Sequence, residues 1–242
     1  MSGSGWWMHV IWVLGAGVVG FGITAVTAGW LKLKRGWVVL IYLAIAGGFL
    51  SAYFAWSGID LMQVVREGWL MGLAGAAIVG LLMIRNVASQ PASPRSKGVQ
   101  LTADILWCGL VYGVLDGLFL SVMPLLGTWR AFSELGLAGS RLGSAGAAVA
   151  GLLASSYVTT LYHLGYPEFR GSGVAMPVLG NAIMSLAYIL TRNPLSAVVS
   201  HGAMHVAAVL HGMEGTIQLP PHYGGSLRAR TASAGGSAGQ SG

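Results

Sequence analysis

The chain has 242 residues, of which 55% are hydrophobic and only 8% are charged, and its formal net charge is +6. A soluble domain carries about 25% charged residues, so this chain cannot cover a folded surface with polar groups, and lipid must cover it instead. The basic residues lie in short segments between apolar stretches, a pattern that signals membrane topology and excludes a nucleic-acid-binding surface. The lipid bilayer is therefore the first partner that the composition predicts.

Apolar stretches that approach the roughly 20 residues of a spanning helix recur along the chain. They are continuous rather than alternating, so they predict an all-α fold, a polytopic transmembrane bundle of about seven helices. In chain order they cover residues 6–29, 37–56, 69–84, 101–126, 143–164, 173–190 and 195–213.

The segments between these stretches divide the chain. Residues 86–100 are rich in Pro and Ser, and we expect a flexible linker there. The linker separates a three-helix N-terminal membrane segment (1–85) from a four-helix C-terminal membrane segment (101–214). Residues 215–242 are rich in Gly, Ser and Ala, a composition that predicts a disordered tail.

The basic residues also predict how the protein is oriented. With seven crossings, nine Lys and Arg residues fall on the side of the C-terminus and four on the side of the N-terminus. Cytoplasmic loops are enriched in Lys and Arg. The bias therefore predicts an integral protein of the plasma (inner) membrane, with its N-terminus outside and its C-terminus in the cytoplasm.

The last four segments carry the candidates for chemistry, because a polar residue inside a membrane segment is costly and usually faces the bundle interior. In these segments polar or small residues recur four apart, so that neighbours in each row share a helix face. The rows are Asp104, Cys108, Tyr112 and Asp116; Gly151, Ser155, Thr159 and His163; Asn181 and Ser185; and His201 and His205. Together they predict a shared polar interior.

His201 and His205 form a His-x-x-x-His pair, which places two imidazoles on one helix face within reach of one metal ion. Asp116 and His163 can complete the ligand set, or supply a base and an orienting group around a water molecule. The alternative is that these residues only hold helices together by hydrogen bonds. A helix end at Gly165 would place His163 near the cytoplasmic surface, roughly 13 Å along the helix axis from the depth of His205.

Residues 101–212 resemble the CAAX-protease and bacteriocin-processing (CPBP, abortive-infection type) family of intramembrane proteases. Residues 180–205 look like the family's last motif region, in which a helix of small residues, a short polar turn and a second helix carry a histidine, here His201. His163 is similar to the histidine of the family's second motif. The chain resembles a divergent member, since it has no Glu-Glu-x-x-x-Arg and Asp116 is the nearest acid.

The resemblance implies an intramembrane endopeptidase that acts on a membrane-associated peptide or protein. Asp116 would be the base, and His163 and His201 would orient the attacking water or bind a metal ion. His205, which stands where the family usually has Asn, would be a further ligand or an oxyanion donor. The implied catalytic residues are Asp116, His163, His201 and His205, and the implied ligands of a divalent metal such as Zn²⁺ are His163, His201 and His205.

Three other functions fit the same residues. A small-molecule or ion permease would use the intramembrane Asp and His residues as a proton relay. A haem-binding membrane cytochrome would pair His201 or His205 with a histidine at matched depth on another helix. A non-catalytic structural or interaction protein would use the polar rows to hold the bundle together.

Overall fold

The computed structural model of the protein describes residues 5–223. Within that range the regular structure is entirely helical, which confirms the predicted fold class. The helices are α1 (Trp6–Trp30), α2 (Arg35–Ser57), α3 (Leu61–Arg66), α4 (Trp69–Ala88), α5 (Gly98–Glu134), α6 (Arg141–Leu164), α7 (Ala175–Thr191) and α8 (Leu195–His211). Residues 1–4 and 224–242, and with them most of the predicted tail, lie outside the described residues.

Most of these helices are long and apolar enough to cross a bilayer. Within residues 5–223 six of them meet that requirement, namely α1, α2, α4, α5, α6, and α7 together with the turn before it (Gly171–Thr191). The shorter apolar helix α8 has 17 residues and is about 25 Å long, close to the thickness of a hydrocarbon core. The described part of the chain is therefore a polytopic helical bundle, as predicted.

The short helix α3, between α2 and α4, was not predicted. Asp60 caps its first turn, since Asp60 Oδ1 accepts the backbone N–H of Gln63 at 3.0 Å. Because α3 has only six residues and buries none of them, hydrophobic periodicity cannot reveal it.

The starts and ends of successive membrane helices lie at two opposite ends of the bundle. At the end that we call the N-terminal face, His9 near the start of α1 contacts Glu134 at the end of α5. At the other end, which we call the C-terminal face, Arg35 at the start of α2 contacts Glu214, which follows α8. The alternation agrees with the predicted order of crossings.

Helix α5 is the central helix of the bundle, because 61% of its apolar window is buried, against 28–39% for the other candidate spans. It contains two wide π-helical stretches, Ile105–Val111 and Gly117–Val122, on either side of the α-helical turn Tyr112–Asp116. Wide turns of this kind shift the register of a helix and are frequent at functional sites. Asp116 lies at the junction between the regular turn and the second wide stretch.

Glycines allow α5 to approach α8 closely. A Cβ atom on Gly113 would lie 2.7 Å from the Cα atom of Gly202, and one on Gly117 would lie 2.7 Å from the Cα atom of Val198. Small residues spaced four apart let helix backbones touch in lipid. The row consists of Gly109, Gly113 and Gly117. It was not singled out in the sequence, although it is the packing that brings Asp116 beside α8.

Two boundaries differ from the predicted domain organisation. The linker is shorter, because α4 continues to Ala88 and α5 begins at Gly98. The prediction of a disordered tail from residue 215 is wrong for residues 215–223, where Leu219 is fully buried. The side chain of Arg35 holds the carbonyl oxygen of Leu219 at 2.7 Å. A contact so distant in sequence cannot be predicted from the composition of the tail.

Candidate active site

A cavity of about 50 Å³ lies among α4, α5, α6, α7 and α8. A water molecule needs roughly 10–15 Å³ of such space, so the cavity can hold a small number of waters. All four side chains predicted to form the site, those of Asp116, His163, His201 and His205, line it. His163 and His205 therefore reach the same cavity, and the predicted difference in depth does not separate them.

Asp116, His201 and His205 form a compact group at this cavity. Each residue offers one ligand atom, and these atoms lie within 4.8 Å of one another. His205 Nε2 lies 3.2 Å from Asp116 Oδ2, and all three residues are almost fully buried. A buried group of one carboxylate and two imidazoles can hold a divalent metal ion.

Asn181 on α7 fixes the orientation of His201. The amide nitrogen of Asn181 donates to Ser155 Oγ at 2.8 Å, so its Oδ1 atom accepts the hydrogen bond from His201 Nε2 at 3.1 Å. This hydrogen bond places the proton of a neutral His201 on Nε2 and leaves a lone pair on Nδ1. An outer hydrogen bond of this kind is what holds metal-binding or catalytic imidazoles in position.

Serine hydroxyls in turn hold Asn181. Ser121 donates to Asn181 Oδ1 at 2.8 Å, Ser185 donates to Ser121 at 3.0 Å, and the Ser155 and Ser185 hydroxyls lie 2.8 Å apart. Ser155, Asn181 and Ser185 belong to the predicted polar rows, but Ser121 was missed. A search at intervals of four cannot find Ser121, because it follows Asp116 by five residues through a π-helical stretch.

Three atoms of the group have no hydrogen-bond partner among residues 5–223, namely Asp116 Oδ1, His201 Nδ1 and His205 Nδ1. When His205 Nε2 donates to the Asp116 carboxylate, its Nδ1 atom is a lone-pair acceptor, like that of His201. The buried Tyr42 hydroxyl has no other partner and makes a long hydrogen-bonding contact with the Asp116 carboxylate, outside ordinary hydrogen-bond geometry. The group thus presents three buried acceptors, none of which has a hydrogen bond of ordinary geometry. Because buried polar groups are normally paired, such a set indicates a place for a cation or for water molecules.

His163 lines the same cavity but lies outside the compact group. Its Nδ1 donates to the backbone oxygen of Thr159 at 2.8 Å, which leaves a lone pair on Nε2. The edge-on ring of Phe169 packs against His163, with ring centroids 5.2 Å apart. Of the three histidines predicted as metal ligands, the compact group therefore contains His201 and His205, and its third member is Asp116.

The other polar residues predicted on α5 lie away from the compact group. Asp104 accepts hydrogen bonds from Ser96 at 2.6 Å and from Gln100 at 2.8 Å, so it fastens the linker to the start of α5. Cys108 is buried among apolar residues of the core. The predicted row of four residues therefore contributes only its last two members, Tyr112 and Asp116, to the cavity.

A triangle of tyrosine hydroxyls adjoins the site and was only partly expected. The hydroxyl of Tyr112 lies 2.6 Å from that of Tyr162 and 3.3 Å from that of Tyr166, and the last two are 3.2 Å apart. The ring of Tyr112 packs edge-on against His205, with centroids 4.8 Å apart. Tyr162 and Tyr166 were not predicted, because a tyrosine near a helix end is also typical of interfacial anchoring.

Comparison of the chain with protein-family models, curated proteins and solved structures found no match. The chemistry of the site is therefore the main guide to function.

Proposed function

We propose that the protein is an intramembrane endopeptidase, which hydrolyses a peptide bond with a water molecule activated at the cavity of Asp116, His201 and His205. The observation that carries this proposal is the set of three unpartnered acceptors on a buried cavity that has room for water. A group with a purely structural role would be expected to pair these atoms, since an unpaired buried polar atom costs about 1–3 kcal/mol. The resemblance of residues 101–212 to CPBP proteases supports a peptide bond as the bond that is cleaved.

In the proposed reaction, Asp116 Oδ1 accepts a proton from the water as the water oxygen bonds to the carbonyl carbon of the substrate. That proton then passes to the leaving amide nitrogen as the carbon–nitrogen bond breaks, so the products are a carboxylic acid and an amine. His201 can only accept a hydrogen bond from the cavity, because Asn181 takes its Nε2 proton. His201 therefore orients the water rather than stabilising the developing oxyanion.

The same residues suit a divalent metal ion. Two histidines and one carboxylate form a ligand set used by hydrolytic zinc sites, which keep one further position open for water. When bound, zinc lowers the pKa of its water to about 7 and polarises the substrate carbonyl. Asp116, His201 and His205 would hold the ion, Asn181 would orient His201, and His163 lines the same cavity.

The membrane placement that we propose follows from the basic residues. The C-terminal face carries Lys32, Lys34 and Arg35 together with the linker cations, so we place it in the cytoplasm of a cell with the protein in the plasma (inner) membrane. A membrane-associated peptide or protein would then reach the cavity from the cytoplasmic side.

The test is hydrolysis by the full chain reconstituted in liposomes with a mixture of membrane-associated peptides in isotopically labelled water. Each cleavage then marks a new C-terminus with one labelled oxygen atom, which mass spectrometry detects. We expect Asp116→Asn to lower the cleavage rate by roughly a hundredfold or more, the range of a lost general base. The matched control is Asp104→Asn, which changes an aspartate of the same helix outside the cavity and should cleave at the wild-type rate.

A wild-type protein that labels no new C-terminus would overturn the proposal and favour a permease or a structural protein. Cleavage that Asp116→Asn and Asp104→Asn leave equally fast would place the reaction elsewhere.

A further inference from the structure

The chain does not leave the bundle at the end of α8. Gly212 adopts a positive φ of 109° and turns the chain back across the C-terminal face. A side chain at this position would be strained, and its Cβ atom would collide with Ser93 of the linker. The ten residues that follow the turn, 214–223, form a segment that we call the strap.

The bundle holds the strap by its main chain. Arg35 donates to the carbonyl oxygens of Leu219 at 2.7 Å and Pro221 at 3.2 Å. Gln90 accepts the backbone N–H of Ile217 at 2.9 Å. On the opposite side, Glu168 accepts the backbone N–H of His222 at 2.8 Å. These contacts recognise peptide groups and suit segments of many sequences, while Arg35 also pairs with the Glu214 carboxylate at 3.0 Å and Gln90 with the Gln218 amide at 3.1 Å.

The strap also forms one wall of the cavity. Ile217, Gln218 and Pro220 line the same cavity as Asp116 and the three histidines. The side chain of Leu219 is fully buried in the core between them. The strap therefore closes the cavity on the C-terminal face, where a peptide from the cytoplasm would have to arrive.

We propose that the strap occupies a groove for a substrate peptide, and that an incoming peptide displaces the strap to reach the cavity. The groove would take an unfolded peptide whose main chain pairs with Arg35, Gln90 and Glu168 and whose apolar side chain replaces Leu219. A competing peptide replaces the main-chain hydrogen bonds of Arg35 and Gln90, whereas simple departure of the strap removes them from partly buried side chains. The identity of the peptide as a substrate rests on the proposed function, but occupancy of the groove does not.

The first experiment measures access to the cavity in the full chain. In a Cys108→Ala background, Met184→Cys places a single thiol at a buried position that lines the cavity. We expect Arg35→Ala to speed labelling by a small membrane-impermeant thiosulfonate roughly ten- to a hundredfold, as suits the loss of charge-assisted hydrogen bonds. Lys34→Ala is the matched control, since this neighbouring cation makes no hydrogen bond to residues 214–223.

Equal labelling rates in Arg35→Ala and Lys34→Ala would overturn the proposal. If Arg35→Ala fails to fold, the pair Gln90→Cys and Gln218→Cys in the Cys108→Ala background provides an independent measurement. The two amide side chains lie 3.1 Å apart, so a short bis-thiosulfonate cross-linker should join thiols at these positions and shield the added thiol at position 184. Unchanged labelling of that thiol in the cross-linked protein would also contradict the proposal.

The second experiment asks whether the groove takes a separate peptide. Leu219→Asp should release the strap while Arg35, Gln90 and Glu168 remain, and labelling at position 184 should rise. A synthetic peptide of residues 212–223 should then slow the labelling again, whereas the same peptide carrying Leu219→Asp should not. Failure of the wild-type peptide to protect would show that residues 214–223 are a structural cover and not a replaceable peptide.

Thiol labelling does not depend on hydrolysis, so the two proposals fail in different ways. If the peptide protects the thiol but no cleavage occurs, the groove proposal stands and the endopeptidase proposal is rejected. If the wild-type protein cleaves as fast as the Leu219→Asp variant and the peptide does not protect the thiol, the endopeptidase proposal stands and the groove proposal is rejected.

Discussion

The bundle contains two buried polar clusters that differ in one respect. Near the N-terminal face, both ring nitrogens of His9 are paired, with the Tyr53 hydroxyl at 3.2 Å and with Glu134 Oε1 at 3.2 Å. In the cluster of Asp116, His201 and His205, each residue retains one unpartnered buried atom among residues 5–223. A fully paired network stabilises helix packing, whereas unpaired acceptors reduce stability and persist where chemistry needs them. The comparison thus supports a structural role for the first cluster and the proposed reactive role for the second.

The largest contrast should appear in metal binding. We expect His205→Ala to lower the affinity of the metal-free protein for Zn²⁺ by roughly a hundredfold or more, because one of three protein ligands is removed. His9→Ala, which changes a histidine of the paired cluster, should leave the affinity unchanged. Isothermal titration calorimetry with Zn²⁺ measures both, and equal losses in the two variants would remove the distinction between the clusters.

Loss of the Asn181 side chain, which supports His201, should also lower the affinity for Zn²⁺, but by less than the loss of His205. Asn181→Ala keeps all three ligands but removes the acceptor of the His201 Nε2 proton. Loss of such an outer hydrogen bond costs roughly ten- to a hundredfold in metal affinity. Thr191→Ala, which removes a hydroxyl on the same helix away from the cavity, is the control for nonspecific damage to α7.

A substitution in the paired cluster of His9, Tyr53 and Glu134 should lower the stability of the protein and leave its function unchanged. His9→Phe removes the hydrogen bonds to Tyr53 and Glu134 and should lower the free energy of unfolding by about 1–2 kcal/mol, since interhelical hydrogen bonds in membrane proteins have modest values. Denaturant unfolding in detergent measures the change, with zinc binding and cleavage as companion assays. A variant of normal stability that lost zinc binding would contradict the structural assignment.

The smallest effect concerns the docking of the strap as the pH falls. Burial, with a further contribution from the nearby Arg35 cation, lowers the pKa of His222 from 6.5 to about 4, while Glu214 opposes this shift. In a released strap, the His222 imidazole binds a proton with its ordinary pKa of 6.5. Docking is therefore strongest above pH 6.5 and weakens as the pH falls toward 4. Labelling of the thiol at position 184 should therefore rise as the pH falls through this window.

His222→Gln removes the titrating group and should abolish most of that rise. The other charged groups that face His222 are Arg35, Glu214 and Glu168. A rise that persists in His222→Gln would assign the pH dependence to these carboxylates.

Much of the fold follows from the sequence, because a continuous apolar run in a chain with few charges leaves a membrane helix as the main solution. The predicted spans therefore begin and end close to the observed ones. Helix α5 was predicted to end at residue 126 but continues to Glu134, since its last turns are amphipathic and pack against α1 and α6. Residues 215–223 were assigned to the tail from its composition. Their order depends on Arg35 and Glu168, which are far away in the chain, so the composition does not reveal it.

The site was predictable to a similar extent. The cost of a carboxylate in a membrane segment predicts a polar environment for Asp116, and the His-x-x-x-His spacing predicts that His201 and His205 share a face. Three features required the structure. They are the π-helical stretches that bring Ser121 to the site, the glycine row that closes α5 onto α8, and the depth of His163.

The most direct measurement is thermal unfolding of Asp116→Asn beside the wild-type protein, both free of metal. The amide that this substitution introduces would be a donor placed among the unpartnered acceptors of His201 and His205, which lie within 4.8 Å of the Asp116 ligand atom. If the group is a reactive site that reduces stability, the variant should keep its melting temperature or gain roughly 2–4 °C while it loses cleavage. A clear drop in melting temperature with Asp104→Asn unaffected would show that Asp116 holds the helices together, and would contradict the proposed site.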